Sequence, residues 1–467
     1  MVLNKTLNQK KINNSVVKII NNSIIPDIIL PYNKNIHKKT SGAGFFINDK
    51  GYIITASHVV TESIELWVKI SSEGQKIFKA EIICIYPAFD IAIIKIINYK
   101  NTYYLNMGNS DKLHLRETVY TIGYPNSTKY PIVTSGTISG SRDDYIQTDT
   151  PVNPGNSGGP LLDSNNNVVG ITSARIKKSE NSSLIVPINI LKSNYKYMIN
   201  NKNQIMYKNV LGLVYNNGSI TYNRLNKLPR GINSGMIVKK IINNSPLYKK
   251  INEGDIILEL IDNKNTYKFD NFGETVVSWE YGKVSIDKII KRYVPNKKIT
   301  IKFWSMRDKK IKKIAVRLTT FEKIYPIRNI APPIFLPDYD IFGGLVFVNL
   351  TLDHLADKKF MNLVHIVQND KIYKEQLVIT HIFPNSIISE YNTITAPSLV
   401  KSINNIPVCN VKDLRKVLIK SLKNKDKFIS IKTHSNDIAV LNLKDTVNQE
   451  PKLSKLYKYP VSNILKI

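Results

Sequence analysis

The run Asn153-Pro154-Gly155-Asn156-Ser157-Gly158-Gly159-Pro160 sets one hydroxyl among glycines. Glycine on both sides of a serine permits a tight turn and a close backbone approach to a bound carbonyl. In such a turn the N–H groups of Gly155 and Ser157 can converge on one point, as an oxyanion hole requires. A serine hydroxyl is a weak nucleophile and needs a base within hydrogen-bond reach. Tyr52-Ile53-Ile54-Thr55-Ala56-Ser57-His58-Val59 offers one, with His58 just past an apolar run. None of the other six histidines has this strand-end Thr-x-x-His setting. Pro87-Ala88-Phe89-Asp90-Ile91-Ala92-Ile93-Ile94 then puts a carboxylate at the mouth of a very apolar run. There it can accept a histidine Nδ1–H and fix the ring tautomer. Taken singly, the serine could sit in a plain surface turn and the histidine could be structural. Together the three describe acyl transfer: Ser157 as nucleophile, His58 as base, Asp90 as its orienting acid.

The elements that must hold these residues read as short strands. From about residue 15 to 195, SVVKII, GAGFFI, GYIITA, IELWVKI, KAEIICIYP, DIAIIKI, TVYTIGYP and VVGITSA alternate with Gly, Asn, Asp and Ser turns. Closely spaced short strands with no helix between them predict an all-β barrel or sandwich. Residues 188–199 then read as a helix closing the domain. Two later stretches, 235–263 and 377–408, form a degenerate repeat of strand, Asn-Ser turn, short helix and strand. A Pro-bearing stretch, 327–340, separates the copies as a linker.

Composition narrows the classes. At 467 residues the chain is too long for one core, and 42% hydrophobic residues are too many for a disordered one. Cys84 and Cys409 are its only cysteines, in different segments, which excludes a disulfide framework and a zinc site. No metal and no cofactor are expected. No apolar run reaches the length of a membrane span, and no apolar core follows the basic start as a signal peptide would need. The expected location is therefore intracellular, in cytoplasm or nucleus or a viral particle. The net charge of +30 allows a nucleic-acid partner. The charge is spread along the chain, Lys outnumbers Arg, and no RNA-stacking motif or compact basic helix accompanies it. An A+T-rich coding sequence, which favours Asn, Ile, Lys and Tyr, is the plainer source.

The order His58, Asp90, Ser157 is the chymotrypsin order, unlike that of subtilisins and α/β-hydrolases. TxxHV, DIAIIKI and TDTPVNPGNSGGPLL resemble the catalytic-domain motifs of the HtrA/Deg family. The segments LGL at 211–213 and GDIIL at 254–258 look like landmarks of a PDZ domain. FGGLVFVNLT at 342–351 is similar to the second PDZ-like module of eukaryotic Deg proteases. The resemblance implies a mainly β chain: a chymotrypsin-like double β-barrel followed by two PDZ-like α+β domains. The boundaries read as an N-terminal tail at 1–14, a protease domain at 15–200 and a first PDZ domain at 205–322. A linker at 323–338, a second PDZ-like domain at 339–450 and a tail at 451–467 complete the chain.

The resemblance further implies an ATP-independent serine endopeptidase acting on unfolded or damaged proteins, working as a trimer or a multiple of trimers. The alternative is a catalytically idle PDZ scaffold or chaperone. Residues 150–153 lack the acid that would attract a Lys or Arg side chain. Val152, Ile171, Thr172 and Ser173 are the candidate walls of a small apolar pocket for Val, Ile or Ala. Leu211, Gly212 and Leu213 are the candidate peptide-carboxylate loop of the first PDZ domain. Residues 174–184 and 140–145 are candidate control loops, and the terminus Leu465-Lys466-Ile467 is a candidate self-ligand.

Overall fold

The computed structural model describes residues 10–33, 36–175, 182–202, 204–226, 228–229, 234–331, 334–367 and 374–466. Residues 176–181 of the first candidate control loop and Ile467 lie outside them. Of the described residues, those within Met1–Ser23 and Lys38–Ile324 form one compact unit. Those within Ile24–His37 and Tyr325–Ile467 form a second.

The first unit opens with two barrels. Strands β1 (Val16–Ile25), β2 (Ile36–Phe46), β3 (Tyr52–Thr55), β4 (Ser63–Ile70), β5 (Ile77–Tyr86) and β6 (Ile91–Ile96) make the first. It closes because β5 pairs with both β4 and β6, so no edge is left inside it. The second is a closed barrel of β7 (Thr118–Gly123), β8 (Ile132–Arg142), β9 (Tyr145–Thr148), β10 (Pro160–Leu162), β11 (Val168–Arg175) and β12 (Ser183–Pro187). The strand text explains the arrangement: β1 alternates buried and half-buried residues, whereas β6, IAIIKI, is buried at all but one position. Helix Ile188–Asn200 buries Ile188, Ile190, Leu191 and Met198 in the same core as Phe45, Ile54 and Ile122. Each such side chain contributes roughly 1.5–3 kcal/mol by leaving water.

A first α+β module completes that unit. Its sheet runs Leu213–Asn216, Met236–Ile241, Ile256–Ile261, Lys298–Ser305, Lys310–Arg317. Helix Ile286–Lys291 lies beside barrel residues, where Arg292 pairs with Asp111 at 2.7 Å and Lys291 with Asp144 at 3.2 Å.

The second unit is another α+β module, its sheet in the order Tyr339–Phe342, Leu345–Asn349, Leu377–Ile382, Ser398–Ile403, Phe428–Thr433, Ile438–Asn442. In both modules the repeated text forms a neighbouring antiparallel pair. The copies differ after the Asn-Ser turn. Ile387–Tyr391 is helical, but in the first copy the stretch after Pro246 stays a run of turns, broken where Lys249 takes φ 59°.

Two segment boundaries differ from the sequence reading. The described residues between the barrel ends of β1 and β2, 26–33, group with 325–467. His354, fully buried, donates from Nε2 to the Ile28 carbonyl at 2.8 Å, and Thr380 donates to that of Ile29 at 2.7 Å. Ile29, Leu30 and Tyr32 pack on a core containing Phe360 and Phe383. The polar tail at 451–467 is also structured. Helix Leu443–Tyr457 buries Leu443, Thr446, Glu450 and Leu453 at helical spacing, and Tyr459 and Ile464 are buried beyond it. Leu465 packs on the core of this unit.

Candidate active site

The three residues singled out for acyl transfer sit at strand ends that the two barrels bring together. His58 lies in the single helical turn Ser57–Val60 after β3. Asp90 ends the 3-10 turn Pro87–Phe89 just before β6, in the left-handed region at φ 54°, which Asp tolerates better than most residues. Ser157 belongs to the turn before β10. Where that turn meets the first barrel, Ala43 N–H donates to the Ser157 carbonyl at 2.8 Å. A Cβ on Gly158 would stand 2.1 Å from Thr55 Oγ1 and 2.3 Å from the Ala43 carbonyl, and its φ is +85°. No other residue type fits there.

Asp90 is the electrostatic hub. Its Oδ2 meets His58 Nδ1 at 2.8 Å and accepts from the Ser173 hydroxyl at 2.5 Å. Its Oδ1 accepts from Ser57 Oγ at 2.9 Å and from the His58 backbone N–H at 3.0 Å. Burial alone would raise the carboxyl pKa, but these donors and the His58 charge outweigh it and hold Asp90 below the usual carboxylate range. On His58, burial works against the imidazolium, yet the hydrogen bond and charge of Asp90 win and the ring pKa is raised. The ring is 50% exposed and the carboxylate 14%, so the histidine faces solvent across a covered acid.

The Ser157 hydroxyl donates to the Ser173 carbonyl at 3.1 Å. Among the described residues it makes no hydrogen bond to His58. The Pro154 carbonyl accepts from Asn126 N–H at 2.7 Å. In a trans peptide the following N–H points the opposite way, so that of Gly155 is turned from Asn126. Neither the Gly155 nor the Ser157 N–H has an acceptor among the described residues. Gly155 takes φ +103°, and a Cβ there would lie 2.1 Å from the Tyr124 carbonyl. Two N–H groups without an acceptor among the described residues therefore flank the Ser157 hydroxyl.

The four candidate pocket residues occupy different places. Val152 is buried. Ile171 packs in the core with Ile122 and Leu162. Thr172 clamps the turn that carries Ser157, accepting from Gly158 N–H at 2.7 Å and donating to the Gly159 carbonyl at 2.8 Å. Ser173 binds Asp90 through its side chain and Ser157 through its carbonyl. The sequence reading missed that double contact. No local pattern marked it, because β11 is irregular between Thr172 and Ala174 and breaks the two-residue period there.

In the first module Gly212 takes φ +66° between Leu211 and Leu213. The Leu211 carbonyl accepts from Ser245 Oγ at 2.6 Å and that of Gly212 from Ile242 N–H at 2.9 Å. The Gly212 N–H has no acceptor among the described residues, and strand Leu213–Asn216 ends its sheet. This is a free edge beside a free donor. Among the described residues no three His, Cys, Asp or Glu are grouped to hold a metal, and no helix is long and apolar enough to cross a membrane.

Comparison with known proteins follows the same division. The profile of the trypsin-like peptidase domain matches residues 42–171, and that of a PDZ domain matches 335–463. A probable periplasmic serine endoprotease DegP-like of Chlamydia muridarum is 39% identical over 147 residues, 30% of this chain. That match spans 29% of the Chlamydia protein's own length. The putative protease Do-like 13 of Arabidopsis thaliana is 29% identical over 426 residues, 86% of this chain and 82% of its own. The solved HtrA-type protease AlgW with decapeptide has the same fold over 67% of this chain and 97% of its own, with a TM-score of 0.51 at 21% identity.

Proposed function

This chain belongs to the HtrA/Deg family, with a trypsin-like peptidase domain and a PDZ domain, and from that premise we propose that it is an ATP-independent serine endopeptidase of unfolded or damaged polypeptides. The observation carrying the proposal is the Asp90–His58 pair beside Ser157 and the unpaired Gly155 and Ser157 N–H groups. With Nδ1 engaged by Asp90, His58 keeps Nε2 for the nucleophile's proton. Binding of a substrate carbonyl swings the Ser157 hydroxyl from the Ser173 carbonyl toward that nitrogen. Ser157 then attacks, the two N–H groups hold the oxyanion, and the imidazolium formed is stabilised by Asp90. His58 returns the proton to the leaving amine, and a water repeats the sequence to release the acyl group.

Hydrolysis of labelled unfolded casein by the parent and by Ser157→Ala tests this directly. The variant should lose several orders of magnitude in rate; equal hydrolysis by both would discard the assignment. Because His58 must be neutral to act and its pKa is raised, kcat/KM should rise with pH through an inflection above that of a free imidazole. Asp90→Asn should lower that inflection and cost about 10⁴ in kcat. Val, Ile or Ala before the cleaved bond should be preferred, as peptide profiling would read out. Assembly as a trimer or a multiple of it belongs to the same proposal and is read by sedimentation. One observation favours the second reading, an idle scaffold: the Ser157 hydroxyl is bonded to Ser173 and not to His58. Casein hydrolysis by neither protein, with unchanged peptide binding, would select it.

A further inference from the structure

The sheet of the first module has two ends. One is the strand beside Gly212; the other is Lys310–Arg317, eight residues paired on one side with Lys298–Ser305. Among the described residues no strand covers its outer side, so half of its N–H and C=O groups face away from the sheet. The same hairpin concentrates charge. Residues 297–317 hold nine Lys and Arg against one acid, Asp308, a density far above that of a chain carrying +30 over 467 residues. Coding bias spread along the chain does not account for such a cluster.

The pairing register aligns these cations. Lys298 stands opposite Arg317 and Lys302 opposite Lys313, on the face away from buried Ile299, Ile301 and Phe303. Lys302 is matched by Glu259 at 2.9 Å, and Lys312 by Asp308. Lys298, Lys313 and Lys250 have no acidic partner among the described residues, and Arg317 reaches only the Asn296 carbonyl at 3.4 Å. At the strand's end a groove of about 460 Å³ opens between Pro246, Lys250, Lys298, Ala315, Val316 and Arg317. Three cations line it and no acid does.

We propose that this edge is a docking site for an extended acidic polypeptide segment, which adds as a strand to Lys310–Arg317 with its carboxylates toward Lys250, Lys298, Lys313 and Arg317. The proposal rests on the reading of the chain as a protease of unfolded polypeptides and names a class of segment it captures away from the catalytic turn. Two observations point to one occupant: unpaired main-chain groups call for an extended backbone, and unpaired cations call for acid. Lysines on an edge repel neutral and basic strands from it. An acidic strand alone removes that penalty. A nucleic acid would satisfy the charge but leave the main-chain groups unpaired, and the hairpin itself offers bases no exposed ring, Phe303 and Trp304 being buried.

The test uses the full chain carrying Ser157→Ala and a labelled, capped peptide of alternating Glu and Val, whose amidated end cannot enter a carboxylate loop. Fluorescence anisotropy should show saturable binding that weakens with salt, and none for the Lys-Val counterpart. Methylating the peptide nitrogens on either edge in turn should leave one version at least about tenfold weaker, since strand addition uses one edge. The variant K250Q/K298Q/K313Q/R317Q should also bind about tenfold more weakly. Equal loss in K412Q/K416Q/K420Q, on a helix of the second module, would reduce the effect to net charge and overturn the site. So would undiminished binding of both methylated peptides, or displacement by a single-stranded oligonucleotide at lower concentration than by unlabelled peptide. Because hydrolysis is not read, failure here is separable from failure of the casein experiment.

Discussion

The two α+β modules carry related text and offer different surfaces. In the first, strand Leu213–Asn216 ends its sheet and the Gly212 N–H has no acceptor among the described residues. In the second, the corresponding strand Leu345–Asn349 is already paired with Tyr339–Phe342, which returns on it through Gly343 and Gly344 at φ 62° and 80°. Arg415 holds the added strand: it meets Asp338 at 2.8 and 2.9 Å, Asp340 at 2.7 Å and the Tyr339 carbonyl at 2.7 Å. The Gly343 N–H donates to Glu450, a carboxylate buried in helix Leu443–Tyr457 whose other oxygen accepts from Tyr459. One module thus leaves a strand edge and an amide for something else to satisfy, and the other satisfies both from its own chain. Sharing a motif does not mean sharing an opening.

The largest difference between the modules is expected at their glycines. A Cβ on Gly344 would meet the fully buried Ser386 at 2.2 Å, whereas one on Gly212 would meet the tip of Ile324 at 2.3 Å and Ser245 less closely, at 2.9 Å. Ser386 caps a helix and donates to the Phe383 carbonyl, so it cannot yield; an isoleucine methyl can turn. Gly344→Val should therefore cost about 3 kcal/mol or more, against about 1–2 for Gly212→Val. Calorimetry of the full chain would show which transition moves. Gly212→Val, but not Gly344→Val, should also abolish capture of a labelled apolar C-terminal peptide.

A smaller effect is expected at the clamp. Arg415→Ala leaves the buried Asp340 without its cation, and with the arginine one-third exposed the loss should be about 1–2 kcal/mol. Hydrogen exchange should rise in 339–342 while 213–216 stays unchanged. A gain of C-terminal peptide binding by the second module would sharpen the contrast further; its persistence in the closed form would contradict the account of Arg415.

The smallest effect concerns Glu450. Burial raises its carboxyl above the ordinary glutamate value, more than its Tyr459 and glycine donors lower it. A carboxyl that keeps its proton better when folded than unfolded adds stability as pH falls through its raised pKa and withdraws it as pH rises. The second module should thus gain stability on acidification through the raised Glu450 value down toward the ordinary glutamate range, with no such contribution from Gly212. Glu450→Gln should flatten that slope, changing stability at neutral pH by less than about 1 kcal/mol. Melting at several pH values, with the slope unchanged by the substitution, would remove Glu450 from this role.

What was legible in the sequence was what short-range pattern dictates. His58 follows an apolar run and Asp90 and Ser157 precede one, so strand ends could be read from hydropathy and the turn from glycine. Ser173 was named for a neighbouring task, because its contact with Asp90 spans 83 residues and no local pattern marks it. Helix Leu443–Tyr457 was hidden by its polar composition and by Pro451, though its buried positions keep helical spacing. The docking of residues 24–37 was least accessible, because its hydrogen bonds reach main-chain carbonyls that carry no side-chain signature.

That last contact has a consequence in time. Ile28 and His354 are 326 positions apart. At the roughly 5–20 residues per second of synthesis, the wait between them is about a quarter-minute to a minute. Throughout it Ile29, Leu30 and Tyr32 have been made and their partner surface has not, while the strands around them can already pair. The nascent chain therefore carries an unsatisfied apolar loop for most of its birth, and a chaperone that shields it should raise the yield of native protein more than one acting on the released chain.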